Sequence, residues 1–325
     1  PDRRDRRAAR RCQAVSLPVL AVAGFLGAGK TTLLNHLLRN GRGARIGVLV
    51  NDFGSVNIDA MLVAGQVDAM ASLSNGCICC VAEDGEVAEM LGKLAAVRPA
   101  LDLIVVEASG VAEPPAVART IMTADSEDFH YAGLILVVNG CEPEFGHGLP
   151  VADLVVLNRA SEVADVDAVL ARIRAQNPRV PVQPTDFARI DPTLLIDIPE
   201  RAPQAQLSFD ELLHDDHDHD HPVYQSVEYI TGDVLNPRRL LALLRDRPEG
   251  LYRAKGFVDF GAGHRYLLQL VGGSLRLQKR RGTGTQLVCI GTGMDTEKVR
   301  AALHECTTEP ADENAILGVH KYVMP

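Results

Sequence analysis

Gly24, Gly29, Lys30 and Thr31 fit the spacing G-x-x-x-x-G-K-[ST] inside the run Val19 to Leu38, VLAVAGFLGAGKTTLLNHLL, where an apolar strand meets a glycine-rich loop and then an amphipathic helix. Gly27 and Ala28 keep the loop free of bulk, so successive backbone N–H groups can turn toward a polyphosphate. The loop opens a helix whose N-terminal N–H groups and dipole favour negative charge. Nucleotide contacts are therefore expected from Gly27, Ala28, Gly29, Lys30, Thr31 and Thr32, with Lys30 on the β and γ phosphates and the Thr31 hydroxyl on Mg²⁺. Acids at strand ends complete such a site, because Mg²⁺ takes oxygen ligands and keeps several waters. Glu107 directly follows the apolar run Leu103 to Val106, and Ser109-Gly110 behind it would let backbone approach the γ-phosphate. Asp52 holds the equivalent place after Arg45 to Asn51, where an aspartate also serves as a turn or cap residue. Lys30, Asp52 and Glu107 are the candidate catalytic groups.

Sulfur and imidazole supply a second chemistry. In Asn75-Gly-Cys77-Ile-Cys79-Cys80 an extended backbone points Cys77 and Cys79 the same way, and a turn at Cys80 lets three thiolates converge on one soft ion. The fourth position is left for water, a side chain or a client. A redox pair and ordinary buried cysteines are the competing readings. Cys12, Cys141, Cys289 and Cys306 are isolated and read as small hydrophobic filler. In the tract 214–221, His214, His217, His219 and His221 alternate with aspartates, which suits a weak accessory site for a divalent cation and equally a solvated acidic linker.

Positioning these groups requires a sheet. Short continuous apolar runs at Arg45 to Asn51, Leu101 to Val106, Leu134 to Val138 and Leu154 to Leu157 alternate with helical patterns at Glu83 to Val97 and Asp165 to Gln176. That alternation predicts an α/β fold, a P-loop NTPase-type, mostly parallel sheet with helices on both faces. Val56 to Leu73 is irregular and reads as an excursion of short strands. Beyond Pro222 strands follow one another directly: Val223 to Ile230, Leu251 to Phe260, Tyr266 to Val271, Ser274 to Leu277 and Leu287 to Gly291, with helices at Pro237 to Arg245 and Asp295 to Cys306. This predicts a small α+β domain with a mainly antiparallel sheet. The expected units are an Arg-rich arm (1–16), a nucleotide-binding domain (17–198), a His/Asp-rich linker (199–222) and the C-terminal domain (223–325).

Bulk properties narrow the partners. At 325 residues the chain is long enough for two cores, and its formal net charge of −9 gives no general reason to expect nucleic-acid binding. The basic arm before Ala14 to Leu26 has the outline of a secretory signal, but cleavage there would remove the strand that carries the cradle. No apolar run approaches the length of a membrane span. A cytoplasmic protein is expected, and the seven cysteines suit a reducing compartment.

The motifs GFLGAGKTTLLNHLL, VNDFG, NGCICC, EASGVAEP, the His/Asp linker, LYRAKGF and LVCIG, in this order, resemble the landmarks of the CobW-like P-loop GTPases. That group includes cobalamin-synthesis proteins, zinc metallochaperones and nitrile hydratase activators. The resemblance implies GTP/GDP binding with slow hydrolysis, Mg²⁺ at Thr31 and Glu107, and a divalent cargo ion, Zn²⁺ first and Co²⁺ next, on Cys77, Cys79 and Cys80. It also implies nucleotide-dependent delivery to a client metalloenzyme, with a homodimer left open. The alternative is a regulatory switch or docking protein with structural or redox cysteines. Three features depart from the pattern. The guanine-reading Asn-Lys-x-Asp is Asn158-Arg159-Ala160-Ser161 here, Glu83 stands where the family carries an arginine, and tryptophan is absent from the C-terminal domain. Asn158 and Arg159 keep roles at the base, whereas Ser161 cannot accept both guanine N–H donors. Unless Glu162 substitutes, guanine selectivity falls by roughly ten- to a hundredfold, which leaves ATP open.

Overall fold

The computed structural model of the chain describes residues 16–41, 43–51, 69–73, 84–110, 112–124, 126–196, 225–307 and 315–323. Asp52, Glu83, Cys12, Cys77, Cys79, Cys80 and His214, His217, His219 and His221 lie outside them, as do most of the arm and the linker.

The first sheet has seven strands, all paired in parallel, in the order β3-β2-β4-β1-β5-β6-β7. They are β1 (Leu17–Ala23), β2 (Ile46–Asn51), β3 (Ala69–Leu73), β4 (Leu103–Glu107), β5 (Phe129–Asn139), β6 (Leu154–Asn158) and β7 (Val182–Thr185). β1, which carries the cradle, is buried between β4 and β5. Continuous burial on both faces is why these strands read as unbroken Val/Leu/Ile runs rather than alternating ones. Helices α2 (Asp84–Ala95), α3 (Pro114–Thr123) and α4 (Val166–Gln176) cover one face through Val87, Leu91, Val117, Ile121, Val169 and Ile173. The other face is covered by α1 (Lys30–Asn40), the segment 188–196, and Tyr252 from the C-terminal domain. Leu33, Leu34 and Leu37 form the inward stripe of α1, each contributing about 1.5–3 kcal/mol by its burial.

Two strands differ from expectation. β5 begins at Phe129 instead of Leu134, because His130 and Gly133 interrupt its apolar signal without interrupting the ladder. β7 escapes sequence reading altogether: it is short, contains Gln183 and Pro184, and lies at the sheet edge, where a missing N–H costs no ladder bond.

The second sheet is antiparallel, in the order β11-β10-β9-β12-β8, built from β8 (Gln225–Thr231), β9 (Leu251–Asp259), β10 (Arg265–Val271), β11 (Ser274–Arg280) and β12 (Thr285–Gly291). Helices α5 (Pro237–Asp246) and α6 (Thr296–Glu305) share one core with it through Leu240, Leu244, Val299 and Leu303.

The two sheets meet around Asp153, which immediately precedes β6. Its carboxylate accepts hydrogen bonds from Leu134 N–H at 2.9 Å and, across the domain boundary, from Gly273 N–H at 2.7 Å in the β10–β11 turn. Gly272, at φ 52, leaves only enough room for this contact, since a Cβ there would stand 2.4 Å from Asp153 Cγ. Burial raises the Asp153 pKa, and its donors and Arg247 oppose the rise. Further links run from Arg253 to the Thr193 carbonyl and from Thr292 to the Val182 carbonyl. Asp153 and Val182 lie at the starts of β6 and β7, the ends of those strands away from Asn158 and the cradle.

His130 sits in the cleft between the sheets with its Nδ1 3.0 Å from Ser16 Oγ. Burial, and then repulsion from Arg276, lowers its pKa from 6.5 to about 3. The unfolded chain therefore takes up a proton below about pH 6.5 that the folded chain refuses. Stability is intact above that pH and declines by about 1.4 kcal/mol per unit as pH falls toward 3. His36 is lowered too, chiefly by burial. Urea unfolding of the wild type and of His130→Asn between pH 7 and 5 separates the two: the variant is expected to show a slope shallower by about one proton. Equal slopes would assign the acid sensitivity elsewhere.

Candidate functional site: a phosphate cradle and its neighbours

The loop leaving β1 is shaped by glycines at positive φ, and two of them leave no room for a side chain. Gly24 lies at φ 144, and a Cβ there would stand 2.2 Å from the Val137 carbonyl oxygen. Gly29 lies at φ 109, and its Cβ would meet Asn158 Nδ2 at 2.4 Å. Gly110, following β4 and Glu107, packs so closely that a Cβ would stand 2.8 Å from the Leu26 nitrogen, which fixes the β4 exit against the loop. Lys30 is 8% exposed, and its Nζ donates to the carbonyls of Gly24 at 2.9 Å and Phe25 at 3.1 Å. The ammonium is thus held over the loop, where phosphate oxygens would be stronger acceptors than these carbonyls.

Thr31 Oγ1 donates to Glu107 Oε1 at 2.8 Å. Neighbouring ligands of an octahedral Mg²⁺ at 2.0–2.1 Å stand about 2.9 Å apart, so this pair of hard oxygen donors fits that ion. Bound there beside a polyphosphate, Mg²⁺ would neutralise charge on the β and γ oxygens. Thr32 is exposed on the first turn of α1. The Asp52 position follows β2, in which Val50 lies level with Glu107.

Asn158, at the end of β6, acts as a strut. Its Nδ2 donates to the Ala28 carbonyl at 3.0 Å, and its Oδ1 accepts from Ala188 N–H at 2.8 Å. It therefore joins the cradle to the loop after β7. Arg159, in a left-handed conformation at φ 59, donates from Nε and Nη2 to the two carboxylate oxygens of Glu162 at 2.9 and 2.5 Å. This hydrogen-bonded pair lowers the Glu162 pKa. Glu162, left open as a substitute for the acid missing at 161, accepts from Arg159 at both carboxylate oxygens. Ser161 donates its N–H to Asp186 Oδ1 at 3.1 Å. Sequence reading missed Asp186 and Ala188, because the strand that delivers them carries no recognisable pattern.

Among the described residues no group of three or more His, Cys, Asp and Glu side chains is arranged to hold an ion. Cys289 and Cys306 are buried, and burial pushes their thiols up to about 12 and about 11, so both behave as filler. Cys141 does not, being exposed. No helix among the described residues is long and apolar enough to cross a membrane.

A central β1, a glycine loop opening α1, and a Thr–Glu pair at the adjacent strand end define the class of P-loop GTPases. The chain belongs to the CobW/HypB/UreG family: the profile of that family's nucleotide-binding domain matches residues 18–184, and that of the cobalamin synthesis protein CobW C-terminal domain matches residues 224–307. The chain is 28% identical to a zinc chaperone CobW of Sinorhizobium, over 88% of this chain and 96% of that one. It is 28% identical to the zinc chaperone YjiA of Escherichia coli, over 55% of this chain and 60% of that one. It is 41% identical to zinc-regulated GTPase metalloprotein activator 1 of Dictyostelium discoideum, over 32% of this chain and 24% of that one.

Proposed function

We propose that this protein binds and slowly hydrolyses GTP and uses the cycle to grip and surrender a zinc ion on Cys77, Cys79 and Cys80, delivering it to a client metalloenzyme. Lys30 holds the β and γ phosphates, Thr31 and Glu107 hold Mg²⁺, and Asp52 is the further candidate acid of that shell. The tract His214 to His221 is a weak accessory site. Three thiolates with an open fourth position suit a soft or borderline ion that must leave again. The zinc named for the relatives makes that ion the first candidate.

The observation that carries this reading is the level of β3 and β2 against β4. Val50 pairs with Glu107 and Asn51 with Leu73, so β3, which ends four residues before Cys77, ends level with the carboxylate assigned to Mg²⁺, with β2 between them. Nucleotide state at the cradle is thereby in position to order or release the segment that follows. Competition with a chromogenic zinc chelator, with and without a non-hydrolysable GTP analogue, tests the coupling. The expected result is a shift in zinc affinity of about 5- to 150-fold, matched by an equal shift in nucleotide affinity when zinc is added. Equal zinc affinity in both conditions ends the proposal.

A further inference from the structure

We propose that Asp186 supplies the carboxylate that recognises guanine, in place of the acid that position 161 lacks. The inference rests on the GTP reading above and names the residue that makes it selective.

Guanine differs from adenine in offering two adjacent donors, N1–H and N2–H, on one edge. A carboxylate accepts both, whereas a serine hydroxyl cannot. Two acids lie near Ser161. Glu162 directs both oxygens to Arg159. Asp186, among the described residues, accepts one side-chain hydrogen bond, at Oδ1 from the backbone of Ser161 itself. The carboxylate of Asp186 thus stands on the neighbouring loop, beside position 161.

Strand register puts it there. β6 and β7 run parallel with Asn158 opposite Thr185, so the residue after each strand, Arg159 and Asp186, leaves the sheet at the same level. Asn158 is tied to Ala28 of the cradle, so that level is the one at which a nucleotide's phosphates would sit. The loop after β7 is then folded back by the Ala188 N–H on Asn158 Oδ1. Phe187 and Ala188 adopt φ 55 and 51 to achieve this, a left-handed pair of non-glycine residues that persists only where surrounding contacts impose it and that is enriched at ligand-binding sites. Phe187 remains 69% exposed beside the carboxylate.

The bland role for Asp186 is a cap on the turn at 160–162, and Asp186→Asn distinguishes the two because asparagine caps equally well. Xanthine keeps N1–H but carries a carbonyl at C2, which an asparagine amide matches with one acceptor and one donor. Affinities of the full chain for GTP, XTP and ATP are measured by competition against a fluorescent nucleotide. The wild type is expected to prefer GTP over ATP by at least about tenfold. Asp186→Asn is expected to lose about ten- to a hundredfold for GTP and gain comparably for XTP, with ATP unchanged. The exchange Ser161→Asp with Asp186→Ser is expected to restore GTP preference. If Asp186→Asn binds GTP within about threefold of wild type, or loses GTP and ATP equally without gaining XTP, Asp186 is a cap alone. Lys30→Ala separates the levels. Should it leave all nucleotide binding intact, the GTP reading itself falls; should it abolish binding while Asp186→Asn is silent, only the present inference does.

Discussion

Replacing Lys30 by alanine is expected to lower kcat/KM for GTP hydrolysis by about 10²- to 10³-fold, the loss typical of removing one preorganised donor from developing charge. The geometry makes this the most damaging single change at the cradle. The ammonium already lies over the loop, held by the Gly24 and Phe25 carbonyls, so little reorganisation separates it from a phosphate oxygen. Its effect should be larger for GTP than for GDP, since a point charge at the β and γ oxygens has more negative charge to meet in the triphosphate. Single-turnover hydrolysis with titration of both nucleotides reads the two quantities separately. Activity of Lys30→Ala within about threefold of wild type would mean that catalysis does not use this side chain.

Asp153→Ala is the second large effect, and it falls on stability. The substitution leaves Leu134 N–H and Gly273 N–H without their acceptor in a buried place and removes the partner of Arg247, 3.8 Å away. Breaking such an arrangement costs about 3–5 kcal/mol. One donor belongs to each sheet, so the loss should also loosen the domains from each other. Urea unfolding followed by tyrosine fluorescence, with limited proteolysis across the boundary, is expected to show an earlier first transition than in the wild type. A change in unfolding free energy below about 1 kcal/mol would show that apolar contacts such as Tyr252 hold the domains together unaided. Because Asp153 precedes β6, whose other end carries Asn158 and its bond to the cradle, the variant should spare nucleotide affinity more than it spares stability.

Much of this protein is local, and local physics is written in the order of residues. The Gly24-to-Thr31 cradle follows from its glycines, all at positive φ, of which Gly24 and Gly29 also make contacts too close for a side chain. The parallel sheet follows from apolar runs spaced by helical patterns, and the second sheet from strands that follow one another directly. The Thr31–Glu107 pair was foreseeable as two oxygen donors at the mouth of one motif. The limits are equally specific. β7 carries a proline and a glutamine and gives no strand signal, so everything it delivers, Asp186 and Ala188 included, stayed unseen. Glu162 neighbours the missing acid in sequence, and only the structure shows both its oxygens on Arg159, three residues away.

By itself the amino-acid order determined where phosphate would be held and which strands would bury themselves, because turn conformation and hydrophobic periodicity depend on near neighbours. Only the tertiary structure decided which distant groups meet: Asn158 with Ala28 across 130 positions, Gly273 with Asp153 across 120, Ser161 with Asp186 across 25. Those hydrogen bonds depend on strand order and register, and a run of valines and leucines carries the same apolar signal whichever strand it pairs with.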